Sequence, residues 1–515
     1  MRRSYTLWKA NAIAFASSFC VMVIELIASR ILAPHIGVSL YTWTSIIGTI
    51  LAGIAIGNYC GGKIADRRAS PLTLAAIFSA GALTTLAILP ATKAVTYGDW
   101  FGTLPLMLDF ILKVSCIFLV PATILSMVSP VVIKLTLADL GQTGGVVGTI
   151  YAFSTAGSIL GTFMTGFYFI LWFGTLTIVW LVAGVLLLIG ISAWFAWKLP
   201  GKRKINPPAL SVGTMILVVV LGGLFLYRYP ESWQQNYLRE SNYYTIQVWE
   251  AGDGFRGLGL DHMTHAFVIP NEPLTLKYNY LKVFREIVDY LMVGKPAPRV
   301  IHLGGGGYSF PRYVEAAYPG SVNEVIEIDP AVTQVAHEYL GLPLGTSIKT
   351  YNQDARLFLI QRAAGPKYNV VAADVFSDCS TPYQLTTLEF DRIVKANMER
   401  DGVYLLNIID DYKLGNYMPS IIHTLKQTFD YVYLFGANPW EYVGTSTFVI
   451  AATDRRIDLA DFSRSITEGG KEATSNPHDE AGLLAYVAKR EPVLLTDDYA
   501  PTDILVAWLQ RGRRP

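Results

Sequence analysis

The chain has 515 residues, 52% of them apolar and only 16% charged, against about 25% charged in an average soluble domain. Residues 1–228 carry 15 Lys and Arg against 5 Asp and Glu, whereas 229–515 carry 26 against 35. One half nearly free of charge beside one of ordinary globular composition excludes a purely soluble enzyme, a disordered chain and a nucleic-acid binder driven by a basic patch.

About 20 consecutive apolar residues cross the hydrocarbon core, and seven such stretches lie near 10–32, 41–60, 72–92, 108–132, 146–170, 175–197 and 209–227. The first is too long and too closely followed by others to be a cleaved signal peptide. Basic residues fall in alternate gaps, at Arg2, Arg3 and Lys9, at Lys63, Arg67 and Arg68, at Lys134, and at Lys198, Lys202, Arg203 and Lys204. This pattern places the N-terminus in the cytoplasm of a multi-pass cell-membrane protein. Gly53, Gly57 and Gly61, and again Gly157 and Gly161, are spaced for close helix packing. Glu25, Asp109 and Lys113 are ionisable groups inside spans. Asp109 and Lys113, four apart on one helical face, are placed to neutralise each other.

After Tyr229 short β-rich runs begin: Tyr244 to Trp249 alternates, and Arg256 to Leu260 reads as a returning hairpin strand. From Arg299 the pattern becomes strand, turn, helix. Strands Val300–Leu303, Glu324–Ile328 and Asn369–Ala373 alternate with helices over about 311–317, 331–340 and 355–363. Three domains are expected: a transmembrane domain over 1–228, a β-rich region over 229–295, and a Rossmann-like α/β domain over 296–515 with ligands at the carboxyl ends of a parallel sheet. The run Gly304, Gly305, Gly306, Gly307 follows the first strand, and Glu327 and Asp329 stand 23 and 25 residues after Gly304. A glycine turn admits a ligand close to the backbone, and an acid about 20 residues on accepts bonds from a ribose diol. Asp354 and Asp374 end two further strand units in register; the alternative is that these acids cap the following helices. The four cysteines (Cys20, Cys60, Cys116, Cys379) are scattered without a CxxC, so neither a disulfide framework nor a metal site is expected.

Several stretches carry a family resemblance: Glu25 to Arg30, Tyr41 to Thr44, Tyr151 to Ser154, His302 to Arg312, Glu327 to Asp329, Gln353 to Ala355, Asp374 to Asp378 and Leu495 to Pro501. The chain resembles the polyamine aminopropyltransferases, of which spermidine synthase is the best-known member, and in particular their membrane-fused, transporter-like branch. The resemblance implies an S-adenosylmethionine-dependent transferase that makes spermidine or a related polyamine. Decarboxylated S-adenosylmethionine, or S-adenosylmethionine itself, would be the co-substrate, with no permanently bound cofactor. It implies that Gly304, Gly305 and Gly306 cradle the donor, that Glu327 with Asp329 holds the ribose, and that Asp354, followed by Ala355, reads the adenine. Asp374 and Asp378 would lie beside the acceptor amine as the catalytic pair. Tyr244, His265 and Tyr280 fall where the family's substrate-binding residues lie.

The departures are specific. The acid that grips the donor's aminopropyl ammonium falls at Gly307, the family's Tyr-His-Glu element becomes Tyr278-Asn279-Tyr280, and the acidic pair is spaced DxxxD. A glycine at 307 is expected to leave room for the carboxylate of ordinary S-adenosylmethionine. Three readings follow: aminopropyl transfer to an amine such as putrescine, methyl or alkyl transfer from S-adenosylmethionine, and a nucleoside-binding transporter or sensor without turnover. The expected partners are a small-molecule amine and the lipid bilayer, with a homodimer left open and no nucleic acid. Seven crossings would put 229–515 outside, whereas nucleoside donors are kept in the cytoplasm. The cytoplasm is favoured on the chemistry, which requires that one segment does not cross or that an eighth crossing lies within 104–137.

Overall fold

The computed structural model describes residues 2–98, 100–101, 104–137, 143–196, 235–261, 263–376, 381–437, 444–468 and 473–507. The chain divides into two compact units, Met1–Trp233 and Gln234–Pro515.

The first unit is helical: α1 (Arg2–Ile36), α2 (Leu40–Arg68), α3 (Pro71–Tyr97), α4 (Leu106–Ser126), α5 (Val128–Thr136), α6 (Thr143–Met164), α7 (Ile170–Phe173) and α8 (Thr175–Ala196). Ser39 and Ser70 start α2 and α3 by accepting the backbone N–H of Thr42 and Thr73, which satisfies donors that a helix end leaves free. Among the described residues six stretches are long and apolar enough to cross a membrane: Leu7–Ile36, Leu40–Arg68, Pro71–Thr96, Met107–Thr136, Thr143–Phe169 and Thr175–Ser192. The seventh expected segment, 209–227, lies outside the described residues.

No eighth crossing is found within 104–137. α4 and α5 together make one 30-residue span, about 45 Å at 1.5 Å per residue. Its break at Met127 has a local cause, because Pro130 has no N–H to return to Ser126. Asp109 and Lys113 do neutralise each other, Nζ to Oδ2 at 2.8 Å.

The second unit opens with an antiparallel sheet of β1 (Gln235–Glu240), β2 (Thr245–Glu250), β3 (Arg256–Leu260) and β4 (Met263–Val268), paired in that order. Its buried face, with Ile246, Val248, Leu258 and Val268, packs with Tyr308, Val325 and Val332. Helix α9 (Asn279–Met292) leads into β5 (Arg299–Leu303), α10 (Ser309–Ala317), β6 (Val322–Ile326), α11 (Pro330–Tyr339), β7 (Lys349–Tyr351), α12 (Ala355–Arg362), β8 (Tyr368–Ala373) and the long β9 (Met398–Asp411). With β10 (Tyr431–Gly436), β11 (Thr445–Thr453) and β12 (Asn476–Pro477) these strands form one sheet in the order β12-β10-β11-β9-β8-β5-β6-β7. The five strands from β9 to β7 are parallel. Chain order reverses between β5 and β8, and at such a switch point the loops diverge and leave a crevice.

Two buried polar residues tie this unit together. The Arg312 guanidinium donates to the carbonyls of Leu340 (2.9 Å), Ile269 (3.2 Å) and Pro270 (2.5 Å), so this residue of the family-like stretch pins the segment after β4. Asp410, fully buried at the end of β9, accepts the backbone N–H of Asp411 (2.9 Å) and Met418 (2.7 Å). Burial pushes its carboxyl up to about 7. A raised folded-state pKa means that the folded chain holds the proton more tightly than the unfolded one, so stability falls as pH rises through that window. Thermal unfolding of Asp410→Asn should therefore gain on wild type between about pH 4 and about pH 7 and run parallel above it. A difference independent of pH would show that Asp410 does not titrate there.

Candidate active site

The switch point is where the glycine turn and Asp374 meet. β5 ends at Leu303, whose carbonyl accepts the Asp374 N–H at 3.0 Å, and the next residue, Gly304, donates its N–H to Ile326 of β6 at 2.9 Å. Gly304 has φ +91°, and a Cβ there would collide with the Asp374 carbonyl. Only glycine lets the turn lie this close to the end of β8.

Beneath the turn, Glu327 collects backbone donors. Oε2 accepts Gly305 N–H (2.9 Å) and Gly306 N–H (3.3 Å), and Oε1 accepts Asp329 N–H (2.9 Å). Burial raises its carboxyl above the ordinary range and these three bonds oppose the rise. Tyr244 stands beside it, its phenol raised first by burial and then by the Glu327 charge.

A cavity of ≈150 Å³ opens over the turn. It is smaller than the roughly 300–1,000 Å³ of sites that enclose a whole ligand, so it suits the reacting ends of donor and acceptor. Gly304, Gly305, Gly306, Gly307, His265, Tyr280 and Asp374 all line it. Asp374 is held from both sides: Asn407 Nδ2 donates to Oδ1 at 2.8 Å and the Tyr280 hydroxyl donates to Oδ2 at 2.7 Å. Burial lifts the Asp374 carboxyl above its usual range and these two bonds pull it part of the way back. The cause is desolvation. The expected partner Asp378, with the neighbouring Cys379, lies outside the described residues. Tyr280 is raised well above an ordinary tyrosine, by burial and then by Asp374, and so remains a donor. His302 also lines the cavity but is neutral: burial lowers it to about 4, and its Nε2 pairs with Asn323 Oδ1 at 2.6 Å.

The other expected site residues stand outside the cavity. Asp329 caps α11 through Ala331 N–H (2.9 Å) and accepts the Ser241 hydroxyl (2.5 Å). Asp354 caps α12 through Leu357 N–H (2.9 Å), with Ala355 as the first residue of that helix. Within the stretch Leu495 to Pro501, Asp497 forms a two-point ion pair with Arg356 (2.7 and 2.5 Å). Asn407, Tyr278 and Phe376 line the cavity without having been singled out as ligand contacts. Asn407 carries a sequence signal, a lone amide within the apolar run Tyr404 to Ile409.

Gly307 corrects an expectation. It leaves no room for a donor carboxylate, because a Cβ at 307 would collide with Ala266 Cβ and stand 3.3 Å from Val268 Cγ1. β4 fills that space.

No family model matches the chain. Over 158 residues it is 29% identical to a polyamine aminopropyltransferase of Vibrio vulnificus, covering 30% of this chain and 52% of that protein. Over 144 residues it is 31% identical to the eEF1A lysine and N-terminal methyltransferase of Mus musculus, covering 26% of this chain and 20% of that protein. A solved structure of a probable spermidine synthase from Corynebacterium glutamicum aligns with 20% identity and a TM-score of 0.44, over 50% of this chain and 95% of that one. For part of its length, therefore, the chain is similar to spermidine synthase-like polyamine aminopropyltransferases. It spans about half the length of the aminopropyltransferase it matches.

Forcing a methyl group into a packed contact typically costs about 1–3 kcal/mol. Gly307→Ala should destabilise the chain by that amount in urea unfolding, and Gly307→Asp by more. An unchanged midpoint for both would mean that β4 moves aside freely.

Proposed function

We propose that the unit Gln234–Pro515 is a transferase that moves an aminopropyl group from decarboxylated S-adenosylmethionine to an amine acceptor such as putrescine. One observation carries this reading: a single cavity brings the glycine turn against a half-buried carboxylate, Asp374, fixed by two hydrogen bonds. The acceptor nitrogen attacks the carbon beside the sulfonium; a C–N bond forms, the C–S bond breaks, and its electron pair stays on sulfur in methylthioadenosine. The nitrogen must be neutral to attack. Asp374, with one lone pair on each oxygen already committed, takes the proton on a free one. Because the sulfonium is an activated leaving group, holding the two partners in line supplies much of the remaining rate. The unit sits on the cytoplasmic face, where such donors are made, anchored by the preceding helices.

A second reading, methyl transfer from S-adenosylmethionine to an amine, is favoured by Gly307. The acid expected to hold the aminopropyl ammonium of the decarboxylated donor is absent there. The two readings differ in products: incubation with each donor and an amine yields methylthioadenosine and a lengthened amine in one case, S-adenosylhomocysteine and a methylated amine in the other.

In either case Asp374→Asn should lower turnover by about 10²–10⁴, the usual worth of a general base. Donor binding, read as the rise in Tm with methylthioadenosine, should survive. The acidic limb of the wild-type rate profile should lie above the ordinary carboxylate range, because Asp374 must be ionised to act and its pKa is raised. Near-wild-type turnover in Asp374→Asn would reduce the residue to a structural role.

A further inference from the structure

The stretch Leu495 to Pro501 stands outside the cavity, yet it is fixed from several sides. Leu495 is fully buried; its N–H goes to Thr424 Oγ1 (3.0 Å) and its carbonyl accepts the N–H of Leu388 (2.8 Å). Leu388 opens helix α13 (Leu388–Ala396), which Thr387 caps through Phe390 N–H (3.3 Å). Thr496 and Tyr499 exchange both backbone hydrogen bonds at 3.0 Å and close a tight turn. Inside that turn the Asp497 N–H donates to Glu389 (2.9 Å), and Asp497 Oδ1 accepts the Thr387 hydroxyl (2.7 Å). The Asp497 carboxylate therefore has a fixed place of its own.

Its cation is Arg356. Nη1 and Nη2 meet Oδ1 and Oδ2 of Asp497 at 2.7 and 2.5 Å, and Nη1 also donates to the Gln384 carbonyl (2.9 Å). A fork of this kind fixes direction as well as distance, which an ammonium group cannot do. Arg356 is the second residue of α12, two after its cap Asp354. That helix start draws little support from its own strand, because β7 has three residues and is the edge strand beside β6. The ion pair supplies an anchor from another part of the unit.

The place of this anchor gives it a use. Ligands of doubly wound sheets lie along the carboxyl ends of the parallel strands. The glycine turn follows β5, Glu327 follows β6 and Asp354 follows β7, on three neighbouring strands in that order. A donor whose reacting end is at the glycine turn extends over Glu327 to the first turn of α12. We propose that Arg356, locked to Asp497, is a positioning residue of the donor site, setting Asp354 and the start of α12 where the far end of the nucleoside meets them. It acts through that helix start and is not itself a catalytic residue. The identity of the donor rests on the transferase reading; the anchor does not.

The test uses the full chain in detergent micelles with Arg356→Ala, Arg356→Lys, Asp497→Asn, and Arg356→Ala combined with Asp497→Asn. Calorimetric titration with methylthioadenosine and S-adenosylhomocysteine should show Kd raised about 10-fold in each single variant, the worth of one charge-assisted hydrogen bond. Arg356→Lys should recover little, since it restores the charge without the fork. The double variant should lose no more than either single one, because both break the same contact. In turnover the donor KM should rise while the acceptor KM stays unchanged, a split that a merely stabilising ion pair would not produce. In the ligand-free chain, amide exchange at Leu357 and Phe358, whose N–H groups bond to Asp354, should quicken in Arg356→Ala. Losses that add in the double variant, or exchange that does not change, overturn the proposal. Binding by wild type with the same Kd in every variant overturns it while leaving the transferase reading in place. A wild type that binds neither nucleoside overturns that reading and takes the donor role of Arg356 with it.

Discussion

The second unit is organised around a buried carboxylate with no cationic partner among the described residues. Glu327 takes the N–H groups of Gly305, Gly306 and Asp329, joining the turn after β5 to the segment after β6. A buried charge is tolerated only when its lone pairs are satisfied, so the turn and the start of α11 are fixed together. From this follow the direction of α10, the seat of Tyr308 at φ +54° with its hydroxyl on Thr333 (3.0 Å) and Thr350 (3.1 Å), and the floor of the cavity. Glu327 keeps free acceptor capacity mainly on Oε1, which is what remains for a ligand hydroxyl.

Across the switch point the same economy operates with opposite purpose. Asp374 is half-buried at the cavity wall and also satisfied, but by two side chains on different elements, Tyr280 on α9 and Asn407 on β9. The hydroxyl donor can turn and become an acceptor, whereas a backbone amide cannot. Glu327 is therefore suited to hold a shape and Asp374 to change its protonation. Two carboxylates raised by burial in one small region are driven apart in role by the donors that face them.

The spans were legible because a bilayer asks for little beyond about 20 apolar residues, and the Rossmann-like order because strands, glycine turn and acids recur in register. The acids were less legible individually. Asp329 and Asp354 share their spacing with ligand-binding acids, yet each completes a helix start, since one carboxylate serves either purpose. Asn407 and Arg356 depend on partners 33 and 141 residues away, a distance no local pattern encodes. Gly307 misled for the same reason: what excludes a side chain there is Ala266, on a strand from the other sheet.

In the first unit α1 and α4, and likewise α3 and α8, start 104 residues apart; this repeat is nearly silent in the sequence, and its contacts explain why. Where α2 crosses α4 and α6 crosses α1, the glycine side is tightly constrained: a Cβ on Gly57, Gly157 or Gly161 would collide with a carbonyl, and one on Gly53 with Ala122 Cβ. On the α1 side the nearest atoms are the backbone of Phe15 and Phe19, whereas on the α4 side they include the Cβ atoms of Ala122 and Ser126, both small residues. A duplicated module held by such contacts can lose almost all identity while keeping its geometry. What survives is two glycines per copy at matched positions, together with the element lengths between them.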